Sequence, residues 1–201
     1  MSFYDLIISR RTIRQFKSEP LSREQLERIV NAGRLAPSAG NQQPLEFIVV
    51  DEPRLCHLIF PHLRWAAYIS PRGNPRPGQE PVAYIITLVN LSLRSQGYEY
   101  DVGAAMENMI LAAWAEGIGS CWLISINREK IASLLEIPEN YRVDCVLALG
   151  YPAESPMLEK FQGSIRYWLD DEGRLHVPKR PLESVVHYNR FTHRPQSVQQ
   201  S

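Results

Sequence analysis

The sequence is short of the features that announce most catalytic machineries. Its 201 residues include three cysteines. Cys56, Cys121 and Cys145 are far apart and lack CxxC spacing, which predicts free thiols in a reducing compartment rather than a disulfide framework. Neither charge is in excess: 22 Lys plus Arg balance 22 Asp plus Glu, so the basic surplus of a nucleic-acid binder is missing. Long apolar runs are missing too. The longest charge-free stretch, Pro81 to Leu93, is too short to span a bilayer and contains Asn90. The opening MSFYDLIISRR places Asp5 ahead of its basic residues, and its apolar run is too short for a signal peptide. The expectation is a cytoplasmic protein that engages neither membrane nor nucleic acid. The five histidines, His57, His62, His176, His187 and His193, include no i, i+4 pair of the HExxH kind, so no metal site is expected. GxSxG, GxxxxGK[ST] and a strand-linked GxGxxG are absent. Cys121 has no neighbouring histidine or cation in the sequence and reads as a small buried thiol. An enzyme with no evident acid, base or nucleophile takes its chemistry from a cofactor.

What is there begins with Ser9-Arg10-Arg11-Thr12-Ile13-Arg14-Gln15-Phe16. In an extended segment Arg10, Thr12 and Arg14 share one face, with Arg11 and Ile13 on the other. Guanidiniums grip phosphate or carboxylate through paired hydrogen bonds, so the run is a candidate anion cradle; taken alone, it reads rather as a solvated basic turn or a nucleic-acid patch. Before it, Phe3 to Ser9 reads as a short helix. After it, Leu21-Ser22-Arg23-Glu24-Gln25-Leu26 is a capping box with a hydrophobic staple, and the helix it opens should stop before Pro37. Ala36 to Pro44 is a polar loop whose Ser38, Asn41 and Gln43 suit a heterocycle or a sugar alcohol, or simply connect a helix to a strand over Leu45 to Val50.

Pro53 to Phe60 reads as a short helix. Pro61 to Pro81, rich in proline, is a long connection of the kind that is functional or mobile; Trp65 and Tyr68 there flank a flat substrate or pack the loop down. Val82 to Leu93 reads as a buried strand, Tyr98 to Glu116 as the most apolar helix with Gly117 behind it, and Ile118 to Ile124 as a short apolar segment open to a ligand. A helix from Asn127 and a strand over Tyr141 to Leu149 follow. Gly163 to Pro178 reads as a hairpin turning at Asp171-Glu172-Gly173, Pro181 to Val186 as a helical turn, and the tail beyond His193 as polar and mobile. No repeat or linker divides residues 1–201, so one domain is expected.

Four blocks, Arg10 to Phe16, Ala36 to Pro44, Gly117 to Trp122 and Lys179-Arg180-Pro181-Leu182-Glu183, occur in the order found in the FMN-dependent nitroreductase family, and the chain resembles that family over nearly its whole length. The resemblance implies an α+β fold, a mixed, mainly antiparallel sheet flanked by helices, assembled as an intertwined homodimer with FMN at the subunit interface. It implies that Arg10, Arg11 and Thr12 bind the FMN phosphate and ribityl end, that Arg14 approaches N1 and O2 of the ring, and that Pro37, Ser38, Ala39 and Asn41 come from the other subunit. Trp122, Leu123 and Ile124 would lie along the ring, and Lys179 and Arg180 would complete the phosphate clamp. The implied activity is a two-electron, ping-pong reduction of nitroaromatics, quinones or similar flat electrophiles by NADH or NADPH. The same fold acting on flavin itself, as a dehalogenase, or as a non-catalytic flavin holder are the alternatives. Two stretches have no counterpart in the blocks: the loop at 61–81, where Trp65 and Tyr68 are substrate candidates, and the hairpin at 163–178, either a segment that selects the substrate or, the reading slightly preferred, an arm that braces the dimer.

Overall fold

The computed structural model describes residues 2–192; the tail expected to be mobile beyond His193 lies outside them. Helix α1 (Phe3–Ser9) opens on a capping box between Ser2 and Asp5. Helix α2 (Arg23–Arg34) opens as expected, with the Ser22 hydroxyl accepting from the Gln25 N–H and Gln25 reaching back to the Ser22 N–H. Leu21 and Leu26 are both buried, as the staple requires. Then come β1 (Leu45–Val50), α3 (Pro53–Ile59), β2 (Ala83–Asn90), α4 (Glu99–Ala115), β3 (Gly119–Leu123), α5 (Arg128–Leu134) and β4 (Tyr141–Gly150). Gly117, at φ 74°, closes α4 in a left-handed turn. Its N–H donates to the Trp114 carbonyl while the Ile118 N–H donates to Ala113, the paired bonds of a Schellman motif.

The four strands form one sheet in the order β1-β2-β4-β3, antiparallel throughout. Alternation along β2 sends Ala83, Ile85 and Val89 to the side of α2 and α4, where they meet Leu26, Ile29, Met106 and Met109. Tyr84, Ile86 and Leu88 face Cys56 and Ile59 of α3, Ile131 of α5, and Leu63 and Trp65. Covered on both faces, the sheet carries the continuous apolar runs that mark buried strands. Cys145 pairs with Thr87 and Val143 with Leu88, so Asp144 is a bulge, and its carbonyl accepts from Arg128 instead.

A second sheet makes the architecture mixed. Strands β5 (Met157–Lys160), β6 (Trp168–Leu169) and β7 (Leu175–Lys179) lie in the order β5-β7-β6. β6 and β7 are the expected hairpin, though its first arm pairs over Trp168–Leu169 rather than from Ile165. β5 runs parallel to β7 and was not expected, because its largely exposed residues carry no apolar alternation. His176 pins the sheet: Nδ1 lies 2.8 Å from Glu159, Nε2 lies 3.0 Å from Asp170, and the ring stacks on Trp168 at 5.1 Å.

Hydrogen bonds donated to Asp170, then to Glu159, raise the His176 pKa above 6.5, and the bond from His176 lowers that of Asp170 below 3.8. A raised histidine stabilises fully below its ordinary value and stops doing so as pH rises through the raised one; a depressed carboxylate stabilises above its ordinary value and stops as pH falls through the lowered one. The hairpin should therefore be firmest between pH 3.8 and 6.5. Amide exchange of β5 to β7, corrected for intrinsic rates, should quicken above that window while the main sheet stays protected, and His176→Gln should remove the alkaline limb.

Candidate active site

The arginine segment lies on a slot that lacks side chains. Gly119 and Gly150 face one another across β3 and β4. A Cβ on Gly119 would come within 2.7 Å of Ile13 Cγ1, and one on Gly150 within 3.0 Å of Phe16 Cδ1. Ile13 and Phe16 fill the slot and are fully buried. The Ile13 N–H donates to the Ser120 carbonyl at 2.9 Å, and Thr12 forms a parallel bridge with Ser120.

The segment is stitched on both sides. The Phe16 N–H donates to Gln79, the Lys17 N–H to Tyr151, and Gln15 accepts from the Ala153 N–H. The buried Gln15 amide accepts from the Arg76 N–H at 2.9 Å and donates to the Asn74 carbonyl at 3.0 Å. Glu154 accepts from the backbone N–H groups of Arg14 and Gln15. The connection at 61–81 is thus tied down, and it holds 3-10 turns at Phe60–His62 and Ala67–Ile69.

The arginines divide. Arg10 lies 3.9 Å from Glu107 of α4. Arg11 turns back and donates to the carbonyls of Ile8 and Arg10 at the end of α1; burial, then the charge of Arg10, lowers its pKa. Arg14 points inward: its guanidinium carbon sits 5.5 Å from the centre of the Tyr167 ring, and its charge opposes the burial that pushes the Cys121 thiol up to about 11.

Beside Arg14 is a cavity of about 460 Å³, in the size range of small-molecule sites, bounded by Leu63, Trp65, Asn74 and Cys121 with Trp122, Leu123 and Ile124 of the β3 end. Trp65 is buried against Phe60. Tyr68 is exposed and meets Tyr167 in a tilted ring contact, with 5.0 Å between the ring centres. The Trp122 ring packs on the α2 and α4 side, toward Cys145. Four buried polar atoms of the lining residues have no hydrogen-bond partner: the donors Arg14 Nε, Trp65 Nε1 and Trp122 Nε1 and the acceptor Asn74 Oδ1. Buried polar atoms are normally satisfied, so this set suits a ligand edge with both acceptors and a donor. The pyrimidine edge of an isoalloxazine has that composition, and the residues fit FMN on this count.

Other expected site residues lie apart from the cavity within one chain. Pro37, Ser38, Ala39 and Asn41 form a mostly exposed loop with a 3-10 turn at Ala39–Asn41. It is anchored by the Ala39 N–H on the buried Asp101, which also holds Arg94 at 3.3 Å. Lys179 ends β7, and Arg180 donates to the Ser184 carbonyl. Among the described residues, no hydrogen bond or ion pair links Lys179 or Arg180 to Arg10, Arg11 or Arg14. The structure adds Gln15, Asn74, Glu154 and Tyr167 to the neighbourhood of Arg14. Only Gln15 had a local signal, its place inside the arginine block; the others arrive through contacts distant in the chain.

A model of the nitroreductase family matches residues 7–151. The chain belongs to the nitroreductase family. A protein of Archaeoglobus fulgidus whose name pairs NADH dehydrogenase with NAD(P)H nitroreductase is 37% identical over 156 residues, 74% of this chain and 84% of that one. The crystal structure of a nitroreductase family protein from Clostridium novyi superposes with TM-score 0.67 at 32% identity, covering 77% of this chain and 87% of its own. A nitroreductase from Desulfovibrio desulfuricans, solved with FMN, superposes with TM-score 0.68 at 25% identity over 96% and 99% of the two chains. The expected α+β nitroreductase fold is thereby established. No helix among the described residues is long and apolar enough to cross a membrane.

Proposed function

We propose that the protein is an FMN-dependent NAD(P)H oxidoreductase that reduces flat electrophiles by two electrons. The reading is carried by the cavity at the end of β3, where Arg14 Nε, Trp65 Nε1 and Asn74 Oδ1 are buried without partners. When bound, FMN supplies the redox chemistry, accepting a hydride equivalent from NAD(P)H and passing it on. With a nitroaromatic the balance is ArNO2 + NAD(P)H + H+ → ArNO + NAD(P)+ + H2O; with a quinone, two electrons and two protons give the hydroquinone. Arg14 would hold a fixed cation beside the bound ring, an electrostatic role. Trp65 Nε1 and Asn74 Oδ1 would hold the ring edge by hydrogen bonds. Leu123 and Ile124 offer an apolar wall that keeps water from the reacting face, and protons come from solvent.

In this reading the site is completed by a second copy of the chain. Phe3, Tyr4, Ile7 and Ile8 of α1 are exposed, and α1 buries no residue. Leu182, Val185, Tyr188 and Phe191 near the other end are exposed as well. Apolar faces of that extent favour an intertwined homodimer, which would bring Pro37 to Asn41 of one copy, and Lys179 and Arg180, to the Arg10–Arg11–Thr12 phosphate end. A visible absorbance spectrum of protein supplied with FMN tests the reading. We expect a bound flavin band that NADH or NADPH bleaches anaerobically and a nitroaromatic or quinone restores; protein that stays colourless after FMN and desalting overturns it.

A further inference from the structure

We propose that the electron acceptor is a flat molecule bearing a negative charge close to its ring, and that Arg64 and Arg166 select it. The inference rests on the reading of the cavity as the flavin site. The cavity is lined by two guanidiniums, Arg14 and Arg64, and by neither Asp nor Glu. Arg64 is exposed, and its N–H donates to the Ser125 carbonyl at 3.1 Å, fixing its backbone to another lining residue while the side chain reaches outward. The Arg166 guanidinium lies 5.5 Å from the centre of the Tyr68 ring, and Tyr68 follows the lining residue Ala67. With Tyr167 next to Tyr68 and Arg14 over Tyr167, cation, ring, ring and cation form a row that starts at the lining residue Arg14.

Five arginines elsewhere are matched by a carboxylate: Arg10 with Glu107, Arg23 with Glu27, Arg28 with Glu24 and Glu116, Arg94 with Asp101 and Arg174 with Glu172. Among the described residues Arg64 and Arg166 have no carboxylate within ion-pair distance. Glu154 and Glu172 belong to the adjoining cavity, where Glu154 is taken up by the N–H groups of Arg14 and Gln15, and Glu172 lies 3.9 Å from Arg174. In a chain of zero net charge, a cavity lined by Arg14 and Arg64 with no carboxylate, with Arg166 against the Tyr68 ring beside the lining residue Ala67, carries a positive potential that steers and holds an anion. NAD(P)H is also anionic, but its phosphates are set off from the nicotinamide by a ribose; a carboxylate fixed to an aromatic ring is the compact match.

The test uses FMN-loaded enzyme reduced with dithionite, so that no nucleotide is present, and follows reoxidation by 4-nitrobenzoate and by its methyl ester. The ester is the better electrophile, so intrinsic reactivity runs against the proposal. We expect the anion-to-ester ratio of second-order rate constants to fall about tenfold in Arg64→Ala/Arg166→Ala, which corresponds to about 1.4 kcal/mol. It should be largely kept in Arg64→Lys/Arg166→Lys, and it should shrink as salt rises toward about 0.15 M, where the screening length is about 8 Å. A ratio unchanged in the alanine variant overturns the proposal, as does an effect confined to reduction by NADH, which would assign the arginines to the donor. If the enzyme binds flavin but neither compound reoxidises it, this inference fails; if no flavin binds, the underlying reading fails with it.

Discussion

Gly119→Val should lower the unfolding midpoint by about 5–10 °C, from about 2–3 kcal/mol of overpacking in a chain of this size, and should abolish retention of FMN through desalting. The new side chain would start 2.7 Å from Ile13 Cγ1, 2.9 Å from Ile13 Cβ and 3.0 Å from Pro152 Cγ. None of these atoms is the free end of a flexible side chain. Ile13 is β-branched and stiff, and its backbone is bonded to Ser120. The arginine segment must lift off β3, carrying Arg14 with it. Gly33→Ala is the control: its Cβ would meet the flexible end of Met109, at 2.7 Å from Cγ, far from Arg14, so a smaller loss of stability and normal flavin binding are expected. Thermal melts and FMN titrations of the two variants decide; a Gly119→Val protein that melts and binds like the wild type would show that the slot is not the constraint.

Glu154→Ala should destabilise by about 2–4 kcal/mol, since two backbone N–H groups lose their acceptor and each unsatisfied donor costs about 1–3 kcal/mol. Burial raises the Glu154 pKa, opposed by the bonds from the Arg14 and Gln15 N–H groups and by the charges of Arg14 and Arg76. A carboxyl raised above its ordinary 4.5 favours the fold most below that value and less as pH climbs through the raised one. Glutamine keeps the accepting oxygen without the charge. Glu154→Gln should therefore melt within about 1 kcal/mol of the wild type at neutral pH, while Glu154→Ala falls well below it and binds FMN more weakly. Equal melting of both variants would mean that the charge, not the accepting oxygen, matters.

Much of the fold was legible because its signals are local. Ser22 with Gln25, Asn127, Gly117 and the unbroken apolar run of β2 each declare a boundary or a face within a few residues. Arg10 to Arg14 and the β3 end were legible as a candidate site through the order of the blocks. Three things were not. β5 pairs beside β7 while largely exposed, so burial left no pattern to read. Glu154 sits in an ordinary turn and acquires its role from backbone donors about 140 positions away. The proline-rich connection was read as functional or mobile from its composition; the Gln15 amide that holds residues 74 to 76 is an interaction no local window contains.

Residues 151 to 154 run beside residues 14 to 17, and the extra sheet begins at Met157. Whatever length of polypeptide is grafted there starts beside the cation that faces the cavity. The chain next to Arg14 can thus be rebuilt by lengthening or trimming one loop, with the residues that line the cavity left as they are. An engineer seeking a new acceptor would have a single splice point at which to work.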